Sequence, residues 1–276
     1  MKIMHPLFIV LISLFSLPAI GQSKEEEIVF EYAVDLFQSE KNQDAADSFG
    51  RFIEGFPDSP LKGRAHYNLA LSFKELGDGA RAKTIFHEIL AMPYNERDEN
   101  SLMEPYTLYK HHSCRMLASI ALDEQNYKEA EHYIKMFDKK FPYQHFCGNE
   151  WAAYKMFKAV MIARVYTGMN QPQRAIKTLA PFTFSDALAS NEEVLETLES
   201  TVRREFTKDE IKAELTRAIE SLQVTQANDR TTAAMMLFNV KVEVEDFYMD
   251  KDANESDLEH YRRIVRSNEF FKKYLQ

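Results

Sequence analysis

The chain has 276 residues, 45% of them hydrophobic, and a formal net charge of −9, enough to bury a sizeable core as one elongated domain or two compact ones. The acidic balance argues against nucleic acid or an anionic membrane surface as the main ligand, because both call for a basic face. Two cysteines, Cys114 and Cys147, are too few for a disulfide framework and allow either one bridge or two unpaired, partly buried thiols.

Residues 1–21 read as a secretory signal. Lys2 is followed by an apolar run from Pro6 to Ile20, closing on the small residues of Ala19-Ile20-Gly21. Pro18 interrupts the run, which is about 15 residues long against the about 20 that a spanning helix needs. No Cys follows the expected cleavage point, so no lipid attachment is expected there. The expectation is export, to the periplasm or the cell surface, where a disulfide is permitted. No later segment is apolar enough to span a bilayer.

Eight glycines and nine prolines leave little material for tight hairpins, and long stretches carry a 3.6-residue hydrophobic period, so helices are predicted. The clearest helix pair runs from Gly63 to Pro93. Leu69 and Ala70 are followed three residues later by Phe73, then by Gly77 and Asp78 in a turn, then by Ala82 and Phe86. The template recurs as Ala33, Leu36, Ala45, Phe49 and Pro57. It recurs again as Leu117, Ala118, Ala121, Tyr127, Ala130 and Pro142. A fourth copy reads Ile162, Ala163, Tyr166, Ala175 and Leu179. Small side chains let the two helices of a hairpin approach, and large ones fill the space between hairpins. No hairpin buries its apolar face alone, so neighbours share one core.

In this pattern residues 26–183 resemble the tetratricopeptide repeat family. The Phe56–Pro60 run (FPDSP) and Phe141-Pro142 are similar to repeat endings in its periplasmic members, such as BamD-like assembly lipoproteins and Tol-Pal-associated coordinators. The lipidated Cys of the first and the N-terminal coiled coil of the second are not evident. The resemblance implies an all-α fold, a right-handed α-solenoid of stacked hairpins with extra C-terminal helices, divided as signal 1–21, repeats 22–183 and C-terminal region 184–276. It also implies a concave face lined by the first helix of each repeat, at positions two, five, nine and twelve. These are Phe30, Val34 and Phe37; Arg64, Tyr67, Leu71 and Lys74; His112, Arg115 and Leu122; and Val160 and Arg164. A hydrophobic floor with basic points suits a protein or peptide partner carrying aromatic and acidic groups.

Tyr94–Lys110 reads as an insertion, polar first and then aromatic at Tyr106 and Tyr109. Beyond Phe182 the repeat fades. One helix is predicted from about Asn191, with Val194, Leu195, Leu198 and Val202 on a face. Another follows Thr207, which with Glu210 forms a capping box. Thr231–Tyr248 fits two patterns. Val240, Val242 and Val244 alternate as in a strand, but Ala233, Leu237, Val240, Val244 and Phe247 follow a helical spacing, and helix is the favoured reading. A last helix, from about Ser256 through Leu258, Tyr261, Val265 and Phe271, would cap the stack.

Catalytic signatures are absent from the sequence: it holds no GxSxG, HExxH or CxxC. Gly77-Asp78-Gly79 ends one helix and starts the next, which is a turn and not a phosphate loop. His111, His112 and Cys114 lack the ligand spacing of a zinc site, since adjacent helical residues point about 100° apart. Glu25-Glu26-Glu27 and Glu192-Glu193 sit where helix starts favour carboxylates. The chain is therefore expected to be a scaffold without catalytic, metal or cofactor site. The alternative is an accessory enzyme, or a small-molecule or sugar-binding protein, with its site in 184–276.

Overall fold

A computed structural model describes residues 24–93, 108–144, 147–185, 188–227, 230–246 and 249–276. Residues 1–21, where a signal is expected, most of the 94–110 insertion with Tyr106, and Phe247-Tyr248 lie outside the described residues. Four antiparallel helix pairs come first: α1 (Lys24–Gln38) with α2 (Asn42–Gly55), α3 (Lys62–Glu75) with α4 (Gly79–Ala91), α5 (Tyr109–Asp123) with α6 (Tyr127–Lys135), and α7 (Gly148–Gly168) with α8 (Pro172–Leu179). A π-helical turn, Met136–Lys140, extends α6, and a 3₁₀ turn, Ala180–Phe182, extends α8. Each helix packs on the next in chain order, the layout of a tetratricopeptide-like solenoid.

One turn joins the two helices of every pair. Glu40, Gly77, Gln125 and Asn170 hold φ of 58°, 77°, 57° and 59°, each five residues before Ala45, Ala82, Ala130 or Ala175. The amide after each of them reaches back five residues, closing the first helix. These bonds are Lys41 N–H to Leu36 O at 3.0 Å, Asp78 to Phe73 at 2.9 Å, Asn126 to Ala121 at 2.7 Å and Gln171 to Tyr166 at 2.8 Å. Asp78 and Asn126 then cap the second helix through their side chains. The four alanines that follow are fully buried, as are Ala33, Ala70, Ala118 and Ala163 one helix earlier. Phe49, Phe86 and Leu179, with Ile134, fill the layer beyond them.

The C-terminal part departs from the all-helical expectation. After α9 (Glu192–Glu205) and α10 (Lys208–Glu220) come three strands, β1 (Gln223–Ala227), β2 (Arg230–Leu237) and β3 (Val240–Val244), in an antiparallel meander. The helix favoured for Thr231–Tyr248 is thus a hairpin over its described part. Leu237 pairs with Val240 and Met235 with Val242, so the three-residue step from 237 to 240 is a two-residue turn and not a helical i,i+3 step. Ala233, Met235, Leu237, Val242 and Val244 all face the core. The turn is held by packing in place of glycine: Phe238 and Asn239 take φ of 49° and 62°. Phe238 lies 5.5 Å from Phe206, and its N–H donates to Glu214 Oε1 at 2.9 Å. The last expected helix is two, α11 (Asp257–Ser267) and α12 (Glu269–Leu275), parted at Asn268. There the backbone turns extended and the Asn268 side chain caps α12. Thr207–Glu210 forms the expected capping box.

Buried residues gather into three clusters among the described residues. One joins the first hairpin to Ala65 of α3, and one spans α3 to α7. The third joins α7 and α8 to the sheet, α9 to α12 and the Phe184 and Phe271 rings, so packing is continuous across residues 183 and 184. No disulfide joins Cys114, buried in α5, to Cys147, exposed ahead of α7.

Candidate binding groove

The first helices of the repeats, α1, α3, α5 and α7, meet along one face through a recurring contact. Position five of each repeat touches position two of the next, and each time an aromatic ring meets a cationic or imidazole group. Arg64 lies over Phe30 at 5.3 Å, His112 lies 6.1 Å from Tyr67, and Arg115 lies over Phe157 at 3.9 Å. The repeat length sets this ladder, because every first helix offers the same two positions to its neighbours. Contacts of this kind contribute about 0.5–2 kcal/mol, more when water is kept away.

The ladder also shows which expected groove residues line a surface and which lie beneath it. Phe30, Tyr67 and Val160 are buried: Phe30 packs on Phe49 and Phe52, and Tyr67 on Phe86. Val34, Phe37, Arg64, Leu71, Lys74, His112, Arg115 and Leu122 are half-buried, and Arg164 is exposed with an ion pair to Glu193 at 2.9 Å. Ser119, Phe157 and Thr167 occupy the same four repeat positions and belong with them. The fixed register that selects Arg115 and Arg164 would have found these three as well.

Arg115 has the least ordinary surroundings. Its guanidinium stacks on Phe157 beside the Tyr67, Tyr143 and Tyr154 phenols. Burial pushes its pKa below the usual arginine value, an effect those phenols oppose. Among the described residues it has no carboxylate partner, and its Nε is buried without a hydrogen bond. Asp138, which accepts from Tyr154, is engaged by Lys158. A half-desolvated cation without a counter-charge is costly to hold.

His111 plays a structural part beside it. The ring is fully buried among Phe137, Tyr143 and Tyr154, at 5.5, 5.2 and 5.6 Å. Its Nδ1 bonds the Phe141 carbonyl at 2.8 Å, which assigns the proton to that nitrogen. Burial drives its pKa down to about 4 against the opposing pull of that bond, so the ring is neutral at physiological pH. Among the described residues no group of His, Cys, Asp and Glu could hold a metal ion. Trp151 stacks on Tyr154 at 5.4 Å and Tyr154 on Tyr143 at 5.0 Å, extending the aromatic cluster around His111.

Residues 64–92, α3 with α4, match the model of the tetratricopeptide repeat family. The match supports that family for the helix pair on which the register of the other three rests. Repeats of this class generally mediate protein–protein interaction, which supports a scaffold role. No curated protein and no solved structure matches the chain.

Proposed function

We propose that this protein is an exported, non-catalytic scaffold whose trough along α1, α3, α5 and α7 binds a protein or peptide segment carrying acidic and aromatic side chains, in the assembly of a cell envelope. The observation that carries the reading is the ladder of ring-and-cation contacts ending at Arg115, whose charge is unmatched among the described residues. An acidic side chain would supply the missing counter-charge, and apolar side chains would lie on Leu71, Phe37 and Phe157. Export is supported by the charged, apolar and small-residue layout of residues 1–21. No described helix is long and apolar enough to cross a membrane. The envelope context is supported by the likeness of the Phe56–Pro60 and Phe141-Pro142 endings to those of periplasmic repeat proteins.

Selection of random linear peptides on the immobilised protein tests the reading. Recovered peptides are expected to be rich in Asp or Glu beside Phe, Tyr or Trp. Arg64→Glu with Arg115→Glu is expected to abolish that enrichment while circular dichroism shows the helices intact. Peptides without acidic enrichment, or enrichment untouched by the double substitution, would contradict it.

A further inference from the structure

Past the last rung of the ladder the trough changes character. Helices α5, α7 and α9 border an open cleft of about 670 Å³, a size that suits a small ligand. Its walls are polar. Hydroxyls enter from all three helices: Ser119 from α5, Thr167 from α7, and Thr197, Ser200 and Thr201 from α9. Asp123 and Glu196 face Arg164 and Arg204, so both signs of charge line it. Arg164 is tied to Glu193, whereas Asp123, Glu196 and Arg204 form no ion pair among the described residues. The aromatic member of the wall, Tyr127, lies directly against Gly168, where a Cβ would stand 2.1 Å from a ring carbon. Glycine at that place is what allows the ring to line the cleft.

The lining selects by elimination. Two carboxylates disfavour an anion, two guanidinium groups disfavour a cation, and the wet walls disfavour an apolar molecule. A ligand whose groups both donate and accept matches a wall of hydroxyls, carboxylates and guanidinium. We propose that this cleft binds a neutral polyhydroxylated ligand, the sugar ring of a saccharide. Glu196 and Asp123 accept its hydroxyl protons, Arg204 donates to its oxygens, and Tyr127 supplies the apolar wall for its C–H face. The site draws one wall from the repeats and one from α9. It lies beyond the Arg115 end of the trough and shares Ser119, Leu122, Arg164 and Thr167 with it.

Saturation-transfer NMR on the full chain tests it, with D-glucose and N-acetylglucosamine as probes and a blocked trialanine peptide as the rival. Transfer to at least one saccharide is expected. Asp123→Asn with Glu196→Gln is expected to weaken that binding about tenfold, since bonds to charged acceptors are the strong ones. Both residues are exposed, so an unchanged melting temperature should show that the fold survives. No transfer to either saccharide, transfer that the double variant leaves unchanged, or transfer to the peptide alone would overturn the proposal. None of these outcomes touches the Arg64 and Arg115 test of the peptide-binding reading.

Discussion

Glu40, Gln125 and Asn170 do at their turns what Gly77 does with less strain. A side chain in left-handed backbone costs about 1 kcal/mol, less for Asn, which tolerates it. Glu40→Gly and Gln125→Gly are therefore expected to raise stability by up to about 1 kcal/mol, and Asn170→Gly by less. Gly77→Ala is expected to lower it by about as much. A Cβ at Gly77 meets nothing within 4 Å, so that loss would be conformational and not steric. Urea unfolding of the four variants checks the ordering. His111 makes a second residue-scale case. Burial pushes its pKa from the ordinary histidine value of about 6.5 down to about 4, so between those values the unfolded chain holds a proton that the folded chain lacks. Stability therefore rises with pH across that window and is fully present above about 6.5, an effect of about 3 kcal/mol at most. In His111→Phe the slope of stability against pH between 4 and 6.5 should fall by about one proton. An unchanged slope would assign the acid sensitivity elsewhere.

The helix pairs were legible in the sequence because each repeats one mould. Ala45, Ala82, Ala130 and Ala175 could be aligned by eye, and each proves fully buried after an identical turn. Three of the four left-handed positions were not legible as such, because Glu40, Gln125 and Asn170 lack the glycine that marks them. The sheet was missed for a related reason. Its turn, Phe238-Asn239, carries no glycine, and a two-residue turn between paired residues leaves the three-residue step that also marks a helix. The alternation of Val240, Val242 and Val244 with Lys241 and Glu243 was the available signal, whereas residues 233–237 are apolar throughout and alternate only in burial. The positions that form the ladder were legible as a register. That Phe30, Tyr67 and Val160 would be covered was not, because depth depends on how neighbouring helices lean. Two variants probe the packing between elements. Gly168→Ala should cost about 1–3 kcal/mol by driving the Tyr127 ring off α7. Phe271→Ala should cost about 3–5 kcal/mol by emptying the core shared by α12 and the repeats. Thermal unfolding reads both.

Across the whole molecule, packing is graded. Among the described residues the first hairpin packs only on α3 and leaves Ile28 and Tyr32 exposed on α1, whereas α7 and α8 are fastened to the sheet and to α9–α12. Solenoid stability is a sum of units and their interfaces, so native-state hydrogen exchange should show α1 and α2 opening at lower free energy than α7 to α10. Equal protection along the chain would mean that the ends are coupled more tightly than their contacts suggest. Between these ends lies the ladder, and the proposed scaffold role depends on Arg115 meeting an acidic group there. A charge-swap cycle on one selected peptide addresses that contact alone. Arg115→Glu in the protein and the peptide's acid changed to Arg should each weaken binding by about tenfold or more, and together they should restore most of the affinity. Losses that simply add would show that the peptide's acid does not meet Arg115, and the trough would lose its assigned ligand.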